Sequence, residues 1–182
     1  GEALVLGPNI NAPMFPTAVA PAAAAAAKAT SLTAGATPPE QALIRAVARR
    51  YDPAVGADRS ALDKAYADAM TDAARAFPNN DTIQVLFAES LMDLSPWDYW
   101  EGGGTRPKNR TAELVDALER VLERNPTHPG AAHYYIHAME ASAAPEKAEK
   151  ASDTLLALVP GSGHLVHMPA HIYWRVGRYN DA

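Results

Sequence analysis

The sequence contains no cysteine, and this absence excludes several kinds of chemistry. None of its 182 residues carries a thiol, so disulfide bonds, thiolate catalysis and cysteine-ligated zinc are excluded within this segment. A run of about 18 or more apolar residues is also missing, so we expect no membrane span. The alanine-rich stretch Ala18–Ala27 is better interpreted as a packed helix, because alanine is only weakly apolar and is the best helix former.

A surplus of basic residues is absent as well. The formal net charge is -5 and the pI is about 5.6, which argues against nucleic-acid binding through a general phosphate-neutralising surface. Hydrophobic residues make up 48% and charged residues 20% of the chain, as is typical of a globular protein. The chain opens at Gly1 without a methionine and closes on Asn180–Ala182. We therefore expect a fragment of a longer protein, cytoplasmic or periplasmic.

Apolar residues recur at three- and four-residue spacing, while strict strand alternation is rare, and this pattern predicts an all-α fold. A capping-box pattern at Thr37–Glu40, with proline in the first turn, predicts a helix start. Helices are predicted at Thr17–Ala29, from this capping box to Tyr51, and at Arg59–Phe77, Thr82–Leu94, Thr111–Arg124, Gly130–Ala141, Pro145–Leu158 and Leu165–Val176, with the end of one helix at Gly1–Leu6 and the start of another at Tyr179.

Prolines that close helices set a regular period. Pro126 and Pro160 are 34 residues apart (160 − 126), and Pro78 and Pro126 are 48 apart (126 − 78). The surplus of 14 falls in the Gly/Pro-rich segment Ser95–Arg110. A period near 34 residues built from two antiparallel helices is the signature of the tetratricopeptide family.

Short strings support this resemblance. Arg124–Pro129 resembles the turn between tetratricopeptide repeats, and Val176–Ala182 resembles the turn inside one. Strings at Gly7–Asn11, His133–Glu140 and Gly163–His171 are similar to those of a bacterial subgroup of the family. The resemblance implies a right-handed superhelical stack of antiparallel helix pairs. Residues 1–37 would form an atypical N-terminal pair, and residues 38–182 would form repeats with a loop insertion at 95–110.

Histidines recur at the repeat spacing. His133 and His137, shifted by 34 residues, fall on His167 and His171. Glu89, His137 and His171 each lie 11 residues after a helix-closing proline (89 − 78, 137 − 126, 171 − 160). Residues four apart share one helix face, and Glu140 shares the face of His133 and His137.

In tetratricopeptide proteins the first helices of the repeats line a concave groove. The resemblance therefore implies that the histidines and acidic residues of this row point into one groove, where helices about 8–10 Å apart would let them share an ion. The predicted metal ligands are His133, His137, His167, His171, Glu140 and Glu89.

A histidine and carboxylate set without thiolates suits Zn, Cu(II), Fe or Ni, among which the sequence does not choose. Two histidines and one carboxylate would also leave positions for water or substrate. The alternatives are a ligand-binding face without metal and purely structural histidines, which hydrogen-bond to neighbouring carbonyls.

Other residues are candidates for ligand contacts. The Trp97–Thr105 loop, with aromatics beside three glycines, is either a flap over the groove or a loop anchored on the core. His164 is expected in a loop, because Pro169 places the helix start near Leu165. His128 is expected in an exposed turn. The predicted ligand-binding residues are His164, Tyr134, Trp97, Trp100 and Asn9.

Three functions remain open at this point. The leading hypothesis is a binding module whose groove takes a peptide or small molecule, with a transition metal as its anchor. The second is a metal-dependent enzyme that activates water or oxygen at the same site. The third is a metal-free scaffold for protein partners.

Overall fold

The computed structural model describes residues 7–54 and 57–182, and these residues are almost entirely helical. The predicted all-α class is confirmed. The helices are α1 (Pro16–Ser31), α2 (Pro38–Val47), α3 (Arg59–Ala76), α4 (Asp81–Asp93), α5 (Thr111–Arg124), α6 (Pro129–Met139), α7 (Glu149–Leu158) and α8 (Gly163–Val176), with short 3-10 helices at Thr33–Gly35 and Pro145–Ala148 and two strands, β1 (Trp100–Glu101) and β2 (Arg106–Pro107).

The helix boundaries follow the local signals of the sequence. α5 has the predicted bounds, and the capping box of α2 is present, with Glu40 Oε2 accepting the Thr37 backbone N–H at 2.7 Å. The predicted helix Pro145–Leu158 divides into a 3-10 turn and α7, and the residues after Tyr179 form turns. The helix end predicted at Gly1–Leu6 lies outside the described residues. Among the described helices, none combines the length and apolarity that a membrane crossing requires.

The chain divides into two compact units, which we call unit 1 (residues 1–97) and unit 2 (residues 98–182). In unit 1, α3 packs against both α2 and α4, and α1 packs against α2. In unit 2, α6 packs against α5, α7 and α8, and α7 packs against α8. The helix pairs match the predicted architecture at this level, and a right-handed superhelix remains a prediction.

A buried ion cluster lies in unit 1. The Arg50 guanidinium is within 2.6 Å of both Glu89 Oε1 and Asp93 Oδ2, and all three side chains are nearly inaccessible. Arg50 also donates to the Pro8 carbonyl and lies 4.5 Å from the centroid of the Tyr66 ring. This cluster ties the N-terminal loop to α4, and it satisfies a charge whose burial alone would be very costly.

One cation faces two carboxylates in this cluster, so the charges do not balance. Burial, followed by the negative charge of Glu89, raises the pKa of Asp93 to about 9 despite the opposing effect of Arg50. Asp93 therefore keeps a proton in the folded chain at pH values where the unfolded chain releases it.

This shift predicts a pH dependence of stability. Between the ordinary pKa of 3.8 and about 9, the folded chain binds one more proton than the unfolded chain. The contribution to stability is complete below the lower value and is lost as the pH rises through this window. We expect Asp93→Asn to flatten the decline, since an amide stays neutral throughout. Urea unfolding at a series of pH values would measure it, with the exposed Asp68→Asn as the control; equal slopes in wild type and Asp93→Asn would contradict the assignment.

Candidate metal centre

Helix α6 carries two of the histidines. Its start is fixed by Pro129 in the first turn and by His128, whose Nδ1 accepts the Ala131 backbone N–H at 3.2 Å. His128 was expected in an exposed turn, and it caps a helix instead. Within α6, His137 is buried and His133 is partly buried. The four-residue spacing places both rings on one face, with their centroids 4.8 Å apart.

Helix α8 carries the other three. It begins at Gly163, so His164 lies in its first turn and not in a preceding loop, and Pro169 lies inside the helix. Because proline has no N–H, the Leu165 carbonyl loses its usual helical donor, yet the helix continues to Val176. The spacing of three and four residues between His164, His167 and His171 follows one helix face.

The contact between α6 and α8 brings His133, His137 and His164 together. One nitrogen from each ring lies within 4.8 Å of the others. His133 Nε2 and His164 Nε2 are 2.9 Å apart, so one of them donates a hydrogen bond to the other. We call these three residues the triad. The sequence placed His164 outside the metal set, although its spacing to His171, seven residues, is a signal for a shared face.

Glu140, just after the end of α6, contacts two imidazoles through different oxygens. Its Oε1 is 3.5 Å from Nδ1 of His137, and its Oε2 is 2.6 Å from Nδ1 of His171. His171 Nε2 in turn lies 3.0 Å from His167 Nε2. Glu140, His167 and His171 therefore form a chain of contacts beside the triad. A carboxylate on one ring nitrogen fixes the tautomer and turns the other nitrogen into the ligand atom.

The cluster favours uncharged imidazoles. Burial, followed by repulsion from His137 and His164, lowers the pKa of His133 to about 3. Burial and the neighbouring histidines also lower the pKa of His164. A neutral imidazole has a nitrogen lone pair, which is the form that binds a metal ion.

Arg175, one turn after His171 on α8, holds the end of α6. Its guanidinium donates to the carbonyls of Glu140 at 2.6 Å and Ser142 at 3.0 Å. A cation is favourable at these carbonyls because they lie at the negative end of the helix dipole. The sequence interpretation missed this residue, whose four-residue spacing from His171 was the available signal.

Several predicted site residues belong to unit 1. Glu89 is bound there by Arg50. Asn9 Oδ1 accepts the Asn11 backbone N–H at 2.9 Å, and the Trp97 indole donates to the Ile10 carbonyl at 3.0 Å. These contacts give each residue a structural partner within its own unit.

The remaining predicted ligand contacts lie in unit 2. The Tyr134 ring lies 4.8 Å from that of His133. The Trp100 indole donates to the Ala138 carbonyl at 2.6 Å, which packs the β1–β2 hairpin against the end of α6. Of the two interpretations of this loop, the contacts of Trp100 match an anchor on the helix.

The tip of this hairpin is held at Gly104. The Ala143 backbone N–H donates to the Gly104 carbonyl at 2.9 Å, and a Cβ on Gly104 would come within 2.5 Å of the Ala143 nitrogen. Its φ of +89° is also one that residues other than glycine rarely adopt. The loop therefore reaches the segment after α6 only because this position has no side chain.

Comparison of the chain with protein-family models, with curated proteins and with solved structures finds no match. The histidine cluster must therefore be interpreted from its own geometry.

A pair of glycine substitutions tests the hairpin contact. Gly104→Ala should destabilise the protein by about 1–3 kcal/mol more than Gly103→Ala, because only the former forces atoms together in a packed region. Gly103 is the matched control: its φ of +68° is also positive, but no atom lies within 4 Å of an added Cβ. Chemical denaturation measures both free energies of unfolding. Equal losses would show that backbone strain alone, and not the contact with Ala143, determines the effect.

Proposed function

We propose that this chain is a transition-metal-binding helical module of the tetratricopeptide type, with the triad as its ion site. The observation that carries the proposal is the meeting of His133, His137 and His164, whose ligand atoms lie within 4.8 Å of one another without a metal present. Histidines brought this close must otherwise stay uncharged and share few hydrogens among many acceptors.

The distances in the triad suit an ion with little rearrangement. Zinc–nitrogen bonds of about 2.0–2.1 Å place two nitrogens of a tetrahedral site about 3.3 Å apart. The Nε2 atoms of His133 and His164 are 2.9 Å apart, so a shift of a few tenths of an ångström would convert their hydrogen bond into two metal bonds. With its Nδ1 toward Glu140, His137 would offer Nε2.

The donor set indicates the class of metal. Three neutral imidazoles suit Zn(II), Cu(II), Ni(II) or Fe(II), whereas Mg²⁺ and Ca²⁺ require oxygen ligands. Glu140 would act behind the ligands, since a carboxylate on Nδ1 orients the ring and makes it a stronger donor. His164 is exposed, which would leave the fourth coordination position open toward solvent. A carboxylate of a peptide or small molecule would bind there and use the ion as its anchor.

Zinc binding to a tag-free protein tests this proposal. After treatment with a chelator, the wild type should take up Zn(II), and saturating zinc should raise the melting temperature by at least about 5 °C. His133→Gln with His164→Gln should remove this shift, because glutamine is a poor replacement for an imidazole ligand.

The matched control is His128→Asn, since asparagine keeps the helix cap while removing a histidine outside the cluster. This variant should bind zinc as the wild type does. Circular dichroism would establish that all three proteins are equally helical. Zinc uptake that survives in the double variant would show that the triad is not the site.

An enzyme is the second candidate, and the exposed third ligand favours it. Sites with three protein ligands and an open position are typical of catalytic zinc. In the Co(II)-loaded protein, an open position predicts that azide changes the visible absorption spectrum. Zinc-dependent hydrolysis of an activated ester, lost in His164→Gln, would favour the enzyme over the ligand anchor. A Co(II) spectrum that azide leaves unchanged would contradict both uses of an open position.

A further inference from the structure

We propose that unit 2 binds a second metal ion beside the triad, through the Nε2 atoms of His167 and His171, with Glu140 orienting the ligands of both ions. The inference rests on the proposed metal-binding function and extends it from one ion to two. It starts from contacts that the triad does not use.

The first argument is the donor pair itself. His167 and His171 are four residues apart on α8, and their Nε2 atoms are 3.0 Å apart. Two histidines at this helical spacing are a recurrent way to bind zinc from one face. Both rings are accessible to water, with His167 exposed and His171 partly buried, so water would complete the coordination.

The second argument is the tautomer of His171. Its Nδ1 lies 2.6 Å from Glu140 Oε2. A carboxylate at this distance requires the proton on Nδ1, since two acceptors would repel each other. The lone pair is then on Nε2, the atom that faces His167. Glu140 therefore sets the ring that would bind the second ion in the state that a metal requires.

The third argument is that the pair stands apart from the triad. Among the residues that the structure describes, the triad is the one group of three such ligands that meets within 4.8 Å. The rings of His137 and His171 are 6.4 Å apart at their centroids. Glu140 reaches each of them through a different oxygen, so a single carboxylate would orient one ligand of each ion.

The arrangement also orders the two affinities. Three converging imidazoles should bind more tightly than two imidazoles and water, because each further protein ligand adds a metal bond in a site already formed. The nearby negative charge of Glu140 would offset part of the repulsion between two divalent ions. We therefore expect the triad to fill first and the His167/His171 pair to fill second.

Equilibrium dialysis of the metal-free chain against Zn(II), followed by elemental analysis, measures the stoichiometry. The wild type should bind two equivalents, and His167→Gln with His171→Gln should bind one. His133→Gln with His164→Gln should lose the tighter equivalent. Glu140→Gln should weaken binding by about 10–100-fold, as loss of a carboxylate behind a histidine ligand does. Circular dichroism would verify that each variant remains helical.

The outcomes separate the two proposals. One equivalent in the wild type, lost in the triad variant, would overturn the second site and leave the proposed function standing. One equivalent lost only in the His167/His171 variant would overturn the triad as the site, and no binding would overturn both. Two equivalents in the wild type and in the His167/His171 variant would place the second ion elsewhere and overturn this inference.

Electron paramagnetic resonance with Cu(II) tests whether the two ions are neighbours. Loaded with two equivalents, the wild type should give a spectrum broadened by coupling between the ions. Each double variant, loaded with one equivalent, should give the sharp spectrum of an isolated ion. Two uncoupled signals in the wild type would overturn the proposal of adjacent sites.

Discussion

The packing of α8 against α6 is the contact on which the whole histidine cluster depends. Buried apolar side chains occupy the core-facing positions of both helices, including Ile136 on α6 and Met168 and Ile172 on α8. Because the core uses these positions, the histidines on the adjoining faces meet one another. The same packing brings Arg175 to the carbonyls after α6. Helix contact, ring contact and the position of Glu140 are therefore consequences of one interface.

Crowding of this kind has an electrostatic cost that shapes the chemistry. Imidazoles with centroids 4.7–4.9 Å apart cannot all take up protons, because the positive charges would repel one another while partly removed from water. The cluster thus disfavours the proton as an occupant and keeps its nitrogen lone pairs available. A divalent ion relieves the crowding differently, since one positive charge centre is shared among several donors.

Much of the fold could be predicted from the sequence, because helix signals are local. The capping box at Thr37 and the bounds of α5 needed only neighbouring residues, and the pairing of His133 with His137 needed only helical spacing. The contacts between helices were less accessible. The repeat period aligned His133 with His167, whereas the structure pairs it with His164, one turn earlier, since a period does not specify the stagger of two packed helices. Glu89 fitted the same row, but its partner Arg50 lies 39 residues away in the chain, and no local pattern indicates that ion pair.

Pro169 gives the cluster an uneven stiffness. His133 and His137 are on a helix with a capped start, whereas His164 is on the turn of α8 whose Leu165 carbonyl lacks a backbone donor from position 169. Fraying of that turn costs one hydrogen bond less than elsewhere, so amide hydrogen exchange should be fastest there. An ion would then be captured by two fixed nitrogens and one adjustable nitrogen. Its departure would be governed by the opening of a single helical turn, with the helix packing left intact.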